Sequence, residues 1–207
     1  MHIYIFGSYV RGEIDTFSDV DLLQILQKNE ESDLDKNKFS IYYLDRLLEL
    51  WNEGNPFAWH LYYESKLIFS SDDNDLLRSL GEPAKYNNLE SDLKKFYILF
   101  NESLHSYKNS NNSKIFDLSM IFLAIRNFAT CFSLGKLNKA NFSRDSALRL
   151  GKLSLNVSNE CFLILQRARI LSTRGNCDLI NEEEFNKINL NLNEISIWFE
   201  QLYKDYV

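Results

Sequence analysis

One short pattern constrains this chain more than any other: Gly7-Ser8-Tyr9-Val10-Arg11-Gly12, followed by Ser18-Asp19-Val20-Asp21. His2–Phe6 is an apolar run of strand length that stops at Gly7, and Val20–Leu26 is a second. Carboxylates at i and i+2 of a strand point to the same face. Asp19 and Asp21 are therefore expected to project together, beside a turn of small residues. A helix beginning near Ser8 would turn its free N–H groups toward an incoming anion. Gly7 and Gly12 let the backbone approach closely, the Ser8 hydroxyl can donate to a phosphate oxygen, and the planar fork of Arg11 suits phosphate. Two carboxylates facing such a turn can hold one or two Mg²⁺ ions, with Ser18 helping to cap or orient the pair. The alternative reading is a surface turn with an N-capping aspartate, which needs neither the second carboxylate nor Arg-Gly.

The pattern sits in a chain of 207 residues, enough for one large domain or two small ones. After the acidic loop 27–38, Phe39–Leu44 reads as a third strand. Asp45 then reads as the N-cap of a helix reaching about Asn52, and Phe57–Glu64 as another helix. Lys66–Ser70 is expected at a sheet edge. Gly81-Glu82-Pro83 with Asn87-Asn88 marks a boundary, giving domains 1–82 and 88–207. Beyond it the periodicity is helical. Leu89, Leu93, Phe96, Phe100 and Leu104 share one face, Ile115–Leu134 is apolar on most sides, and Leu155–Arg174 is a further helix. Asn181 with Glu184 forms a capping box for the last one. Strands first and helices afterwards imply an α+β fold: a small mixed sheet followed by an antiparallel helical bundle.

Composition narrows the function. Residues 1–80 hold 7 Lys/Arg against 15 Asp/Glu, a balance of −8. That argues against broad capture of nucleic acid and suits divalent metal or cationic small molecules. Three scattered cysteines without CxxC spacing suggest neither a disulfide framework nor a zinc site, and point to a reducing cytoplasm. Arg126 and Asn127 interrupt the longest apolar stretch, so no membrane span is expected.

Gly-Ser, a spacer and Asp-hydrophobic-Asp resemble the signature of the DNA polymerase beta-like nucleotidyltransferase superfamily, most closely its minimal branch. The motif covers about residues 3–26 and the resemblance extends to about residue 70. It implies transfer of a nucleoside monophosphate, expected to be AMP from ATP with Mg²⁺, to an acceptor held between the two domains. Gly7, Ser8, Arg11, Gly12 and Ser18 would bind nucleotide, and Asp19 and Asp21 would hold metal. Active members carry a third carboxylate on a neighbouring strand. Here that strand, Phe39-Ser40-Ile41-Tyr42-Tyr43, presents no acid on either face. Without it, the attacking hydroxyl lacks its usual base.

His60 and Glu64 are the candidate substitutes, since i and i+4 on a helix can touch. The competing reading makes His60 a core residue bonded to a backbone carbonyl. The helical half resembles HEPN-like domains and the helical domains of antibiotic nucleotidyltransferases. Arg126-Asn127 is similar to the start of the HEPN ribonuclease motif, but no His follows at the required spacing, so no ribonuclease activity is expected. Arg126 itself is expected in a structural ion pair, and Arg167 and Arg169 as helix-surface charges. The expected partners are a nucleoside triphosphate and a small-molecule, protein or RNA acceptor, with no membrane and a homodimer admissible. The alternatives are a non-catalytic regulatory or antitoxin-like protein and a defence-related RNA- or protein-modifying factor.

Overall fold

The computed structural model describes residues 1–14, 18–109, 113–175 and 177–206. The spacer Asp15–Phe17 inside the opening motif lies outside that set. The chain divides into two compact units. Unit 1 is Met1–Asn88 with Asn138–Ser143, and unit 2 is Leu89–Leu137 with Arg144 onward. Residues 138–143, which the sequence leaves in the helical half, thus belong to unit 1.

Unit 1 is built on a four-stranded mixed sheet. β1 (His2–Phe6) pairs antiparallel with β2 (Asp21–Leu26) and β4 (Ser65–Ser70), while β3 (Phe39–Tyr43) runs parallel to β2. The order β3-β2-β1-β4 leaves β4 at an edge, as its short polar-flanked sequence suggests. Alternate residues Tyr4 and Phe6 of β1, with Leu23 and Ile25 of β2, face α2 (Leu44–Asn52) and α3 (Pro56–Glu64). There they pack with Leu47, Leu50, Trp51, Ala58 and Leu61. Each buried leucine, isoleucine or phenylalanine side chain there contributes about 1.5–3 kcal/mol. Tyr4 also anchors α4 (Leu76–Leu80), donating to Asp75 Oδ1 at 3.0 Å while its oxygen accepts from Leu77 N. The return segment is stapled by two indoles: Trp51 donates to Gly81 O at 3.0 Å and Trp59 to Ala84 O at 3.2 Å.

Two boundaries differ from the sequence reading. β2 starts at Asp21 because its partner β1 ends there, the last pair being Phe6 with Asp21. Asp19 and Val20 precede the ladder, so pleat alternation fixes the direction of Asp21 and not of Asp19. The helix after β3 is capped by Tyr43, which places Asp45 inside its first turn, where a carboxylate meets the positive end of the dipole.

Unit 2 packs α5 (Leu89–Asn109) on α6 (Lys114–Gly135), α6 on α7 (Asn159–Arg174) and α8 (Glu182–Tyr206) on both α5 and α7. By length and composition α6 is apolar enough to cross a membrane, but most of that stretch is buried inside the unit, as in a core helix. Phe128, Phe132 and Phe199 are fully buried, and Phe199 stacks on Phe100 at 4.4 Å. Two short 3-10 turns, Ser146–Arg149 and Gly151–Leu153, precede the segment read as one helix from Leu155. The helix begins instead after Ser158, whose hydroxyl accepts from Cys161 N. At α8 the capping box forms reciprocally: Asn181 N donates to Glu184 Oε2 and Glu184 N to Asn181 Oδ1, both at 3.0 Å. Glu184 is also paired with Arg167, which holds its carboxyl below the usual range, so Arg167 is a half-buried structural charge and not a surface one. Arg169, also half-buried, has its guanidinium held below the usual pKa, chiefly by burial.

Candidate active site

The site is assembled where β1 gives way to α1 (Ser8–Arg11), a single helical turn. Gly7 makes the corner with φ +74°, a left-handed value that glycine adopts without strain. Its N–H donates to Glu64 O at 3.0 Å, which locks the C-terminal end of α3 to the corner. Its carbonyl accepts from Val10 N at 3.0 Å and Arg11 N at 3.2 Å. The corner is crowded from above. A Cβ added at Gly7 would lie 2.8 Å from Asp21 Oδ2 and 3.9 Å from His60 Cε1. Glycine is therefore required twice, by its φ and by the close approach of the Asp21 carboxylate.

Around that corner the charged groups are tied to one another. Arg11 donates from Nε to Glu13 Oε2 at 2.9 Å and from Nη1 to Glu64 Oε2. The same Glu64 oxygen lies 2.9 Å from His60 Nε2, so the i, i+4 pair on α3 does meet. All three side chains are largely buried, at 17% exposure for Arg11, 13% for Glu64 and 15% for His60. His60 Nε2 is buried yet makes no aligned hydrogen bond, because the carboxylate is close by distance and off the N–H direction. The imidazole is fixed by its faces instead. Phe6 meets it edge-on at 5.6 Å, and Phe142 stacks on it at 4.7 Å with the ring planes 20° apart.

The remaining sequence-derived residues fall as follows. Ser8 is buried in the first position of α1, and Gly12 closes that turn as its left-handed C-cap. Ser18 is half-buried, whereas Asp19 and Asp21 are exposed. On β3, Ser40 pairs with Leu23 and so faces the same way as Asp21, and no carboxylate stands on that strand. Among the described residues there is no group of three or more His, Cys, Asp and Glu able to hold a metal ion. Two carboxylates nevertheless fit a hard divalent ion that arrives with a nucleotide. Mg²⁺ keeps several waters and is bound through one or two carboxylates plus substrate phosphates.

Two residues of the cluster escape sequence reading. Glu13 follows Arg11 across a tight glycine turn, and that proximity of opposite charges was its only signal. Phe142 is a lone aromatic in the polar stretch Asn138-Lys139-Ala140-Asn141-Phe142-Ser143, and nothing local says what it covers.

A family model described as polymerase beta, nucleotidyltransferase matches residues 1–74. The match spans all four strands of unit 1 and every residue of the cluster except Phe142, and it supports placing this unit in the nucleotidyltransferase superfamily. It stops before unit 2, so the HEPN-like reading of that unit rests on its sequence alone. No curated protein matches the chain.

Proposed function

We propose that the chain is a Mg²⁺-dependent nucleotidyltransferase that moves a nucleoside monophosphate, AMP from ATP, onto an acceptor hydroxyl. The observation that carries this reading is the corner itself: a tight glycine turn with the Asp21 carboxylate pressed against it, inside the residues that match the family. Asp19 and Asp21 would hold the metal, which when bound neutralises the triphosphate and steadies the departing pyrophosphate. The Gly7-Ser8 turn and Ser18 would meet the phosphates. Arg11 takes a different part from the phosphate clamp its chemistry suggests. Its fork is engaged by Glu13 and Glu64, so its role in this reading is to hold the Glu64 carboxylate in place.

That leaves the proton of the acceptor hydroxyl. β3 offers Ser40 where a carboxylate would serve, and the cluster beside the Gly7 corner holds two groups able to accept a proton, His60 and Glu64. In this reading His60 takes the proton, and the Glu64 carboxylate beside Nε2 stabilises the resulting imidazolium. The acidic front half favours a cationic small molecule as acceptor, with a protein side chain or RNA end as the other classes. The test is incubation of the purified chain with Mg²⁺ and each α-labelled nucleoside triphosphate, with cell extract as the acceptor source. Label transfer that vanishes in Asp19→Asn supports the reading. Nucleotide binding without transfer or pyrophosphate release from any nucleotide replaces it with the regulatory, non-catalytic alternative, which the missing acid on β3 favours.

A further inference from the structure

We infer that Phe142 is a positioning residue for this reaction, acting through His60; the inference rests on the reading proposed above. The chain contributes residues 138–143 to unit 1, while the residues on either side, 89–137 and 144 onward, belong to unit 2. Within that short strap Phe142 is 3% exposed. Its ring lies face to face with the imidazole of His60, and Phe6 closes the edge. The imidazole is thus held by two aromatic rings and not by an aligned hydrogen bond at Nε2.

The strap is constructed to present that ring. Asn138 opens it with φ +52°, a left-handed value. Asn141 Oδ1 accepts from Ser143 N at 3.2 Å and from Ser143 Oγ at 2.7 Å. These two bonds satisfy the N–H and the hydroxyl of Ser143 locally, directly after the buried ring. A loop anchor needs only a large apolar side chain, and leucine would do. Fixing the plane of an imidazole needs a flat face, which leucine lacks. The distinction matters because a reacting group displaced by about 1 Å costs on the order of a hundredfold in rate.

The experiment uses the full chain with Phe142→Leu, Phe142→Tyr and His60→Gln. In proton–carbon NMR of the histidine rings, His60→Gln identifies the His60 signal among His2, His60 and His105. Ring-current shielding by Phe142 should set that signal upfield, and Phe142→Leu should move it downfield. In nucleotide transfer, Phe142→Leu should lower kcat roughly tenfold to a hundredfold with the nucleotide KM unchanged. Phe142→Tyr, which keeps the ring, should restore both signal and rate. In the His60→Gln background, Phe142→Leu should cost nothing further on the residual rate. Three results each overturn the inference: an unimpaired Phe142→Leu, an equal loss in the His60→Gln background, or Phe142→Tyr no better than leucine. A wild-type chain with no transfer sinks the underlying reading and this inference together. An active wild type beside an equally active Phe142→Leu sinks this inference alone.

Discussion

The two units handle an ion pair differently. In unit 2, Glu184 pairs with Arg167 and at the same time closes the capping box of α8, so every role of that carboxylate is structural. In unit 1, Glu64 pairs with Arg11 and stands 2.9 Å from a histidine nitrogen that is buried without an aligned hydrogen bond. A buried polar atom left so costs about 1–3 kcal/mol. Unit 2 carries such a cost as well, at Arg167 Nε and Asp117 Oδ2, so what sets the unit 1 cluster apart is its place beside the Gly7 corner, where the Asp21 carboxylate approaches the backbone closely. Unit 2 spends its residues on aromatic packing, and unit 1 keeps a polar cluster at the open end of its sheet.

That contrast can be broken from the unit 2 side first. Phe128 is fully buried against Phe132, Trp198 and Phe199. Phe128→Ala is expected to cost about 3–5 kcal/mol in denaturant unfolding. Nucleotide affinity of the protein that remains folded should be unchanged; a selective loss of affinity would show that the units divide their work differently. From the unit 1 side, Asp21→Asn should lower the transfer rate by about 10²–10³-fold while leaving the melting temperature alone. Gly7→Ala should do both kinds of damage. A left-handed φ costs a Cβ about 1–2 kcal/mol, and the collision with Asp21 Oδ2 displaces the carboxylate, so transfer falls along with stability. A Gly7→Ala protein of normal stability and rate would mean that the corner is not as tight as described.

Smaller effects sharpen the picture. Asn181→Ala removes one half of the capping box and should cost about 1 kcal/mol without touching transfer. Burial pushes the Cys161 thiol up to about 11 from its ordinary 9.0. The folded state then favours the protonated thiol, so this contribution is intact below about pH 9 and is lost as pH rises toward 11. Cys161→Ala should flatten that part of the stability profile, and an unchanged slope would assign it elsewhere.

The local parts of this architecture were legible from sequence, and the reason is their range. The Asn181–Glu184 box and the His60–Glu64 contact each lie within one helical turn. The Gly7 corner follows from a strand that runs into glycine. Where β2 begins was not legible, because a strand starts where its partner can pair with it, and β1 ends opposite Asp21. Nor was the engagement of Arg11 by Glu64, 53 residues away. Phe142 was hidden for the same reason: its partner, His60, is far away in sequence and on another element.

The most direct measurement of the central claim compares wild type with Asp21→Asn, matched for melting temperature. Each is given Mg²⁺ and ATP labelled at the α-phosphate, in the presence of acceptor extract. The nucleotidyl-transfer site requires pyrophosphate release and label transfer by wild type, and their loss in the variant. Equal transfer by both proteins would contradict it, and would move the chemistry away from the Gly7–Asp21 corner.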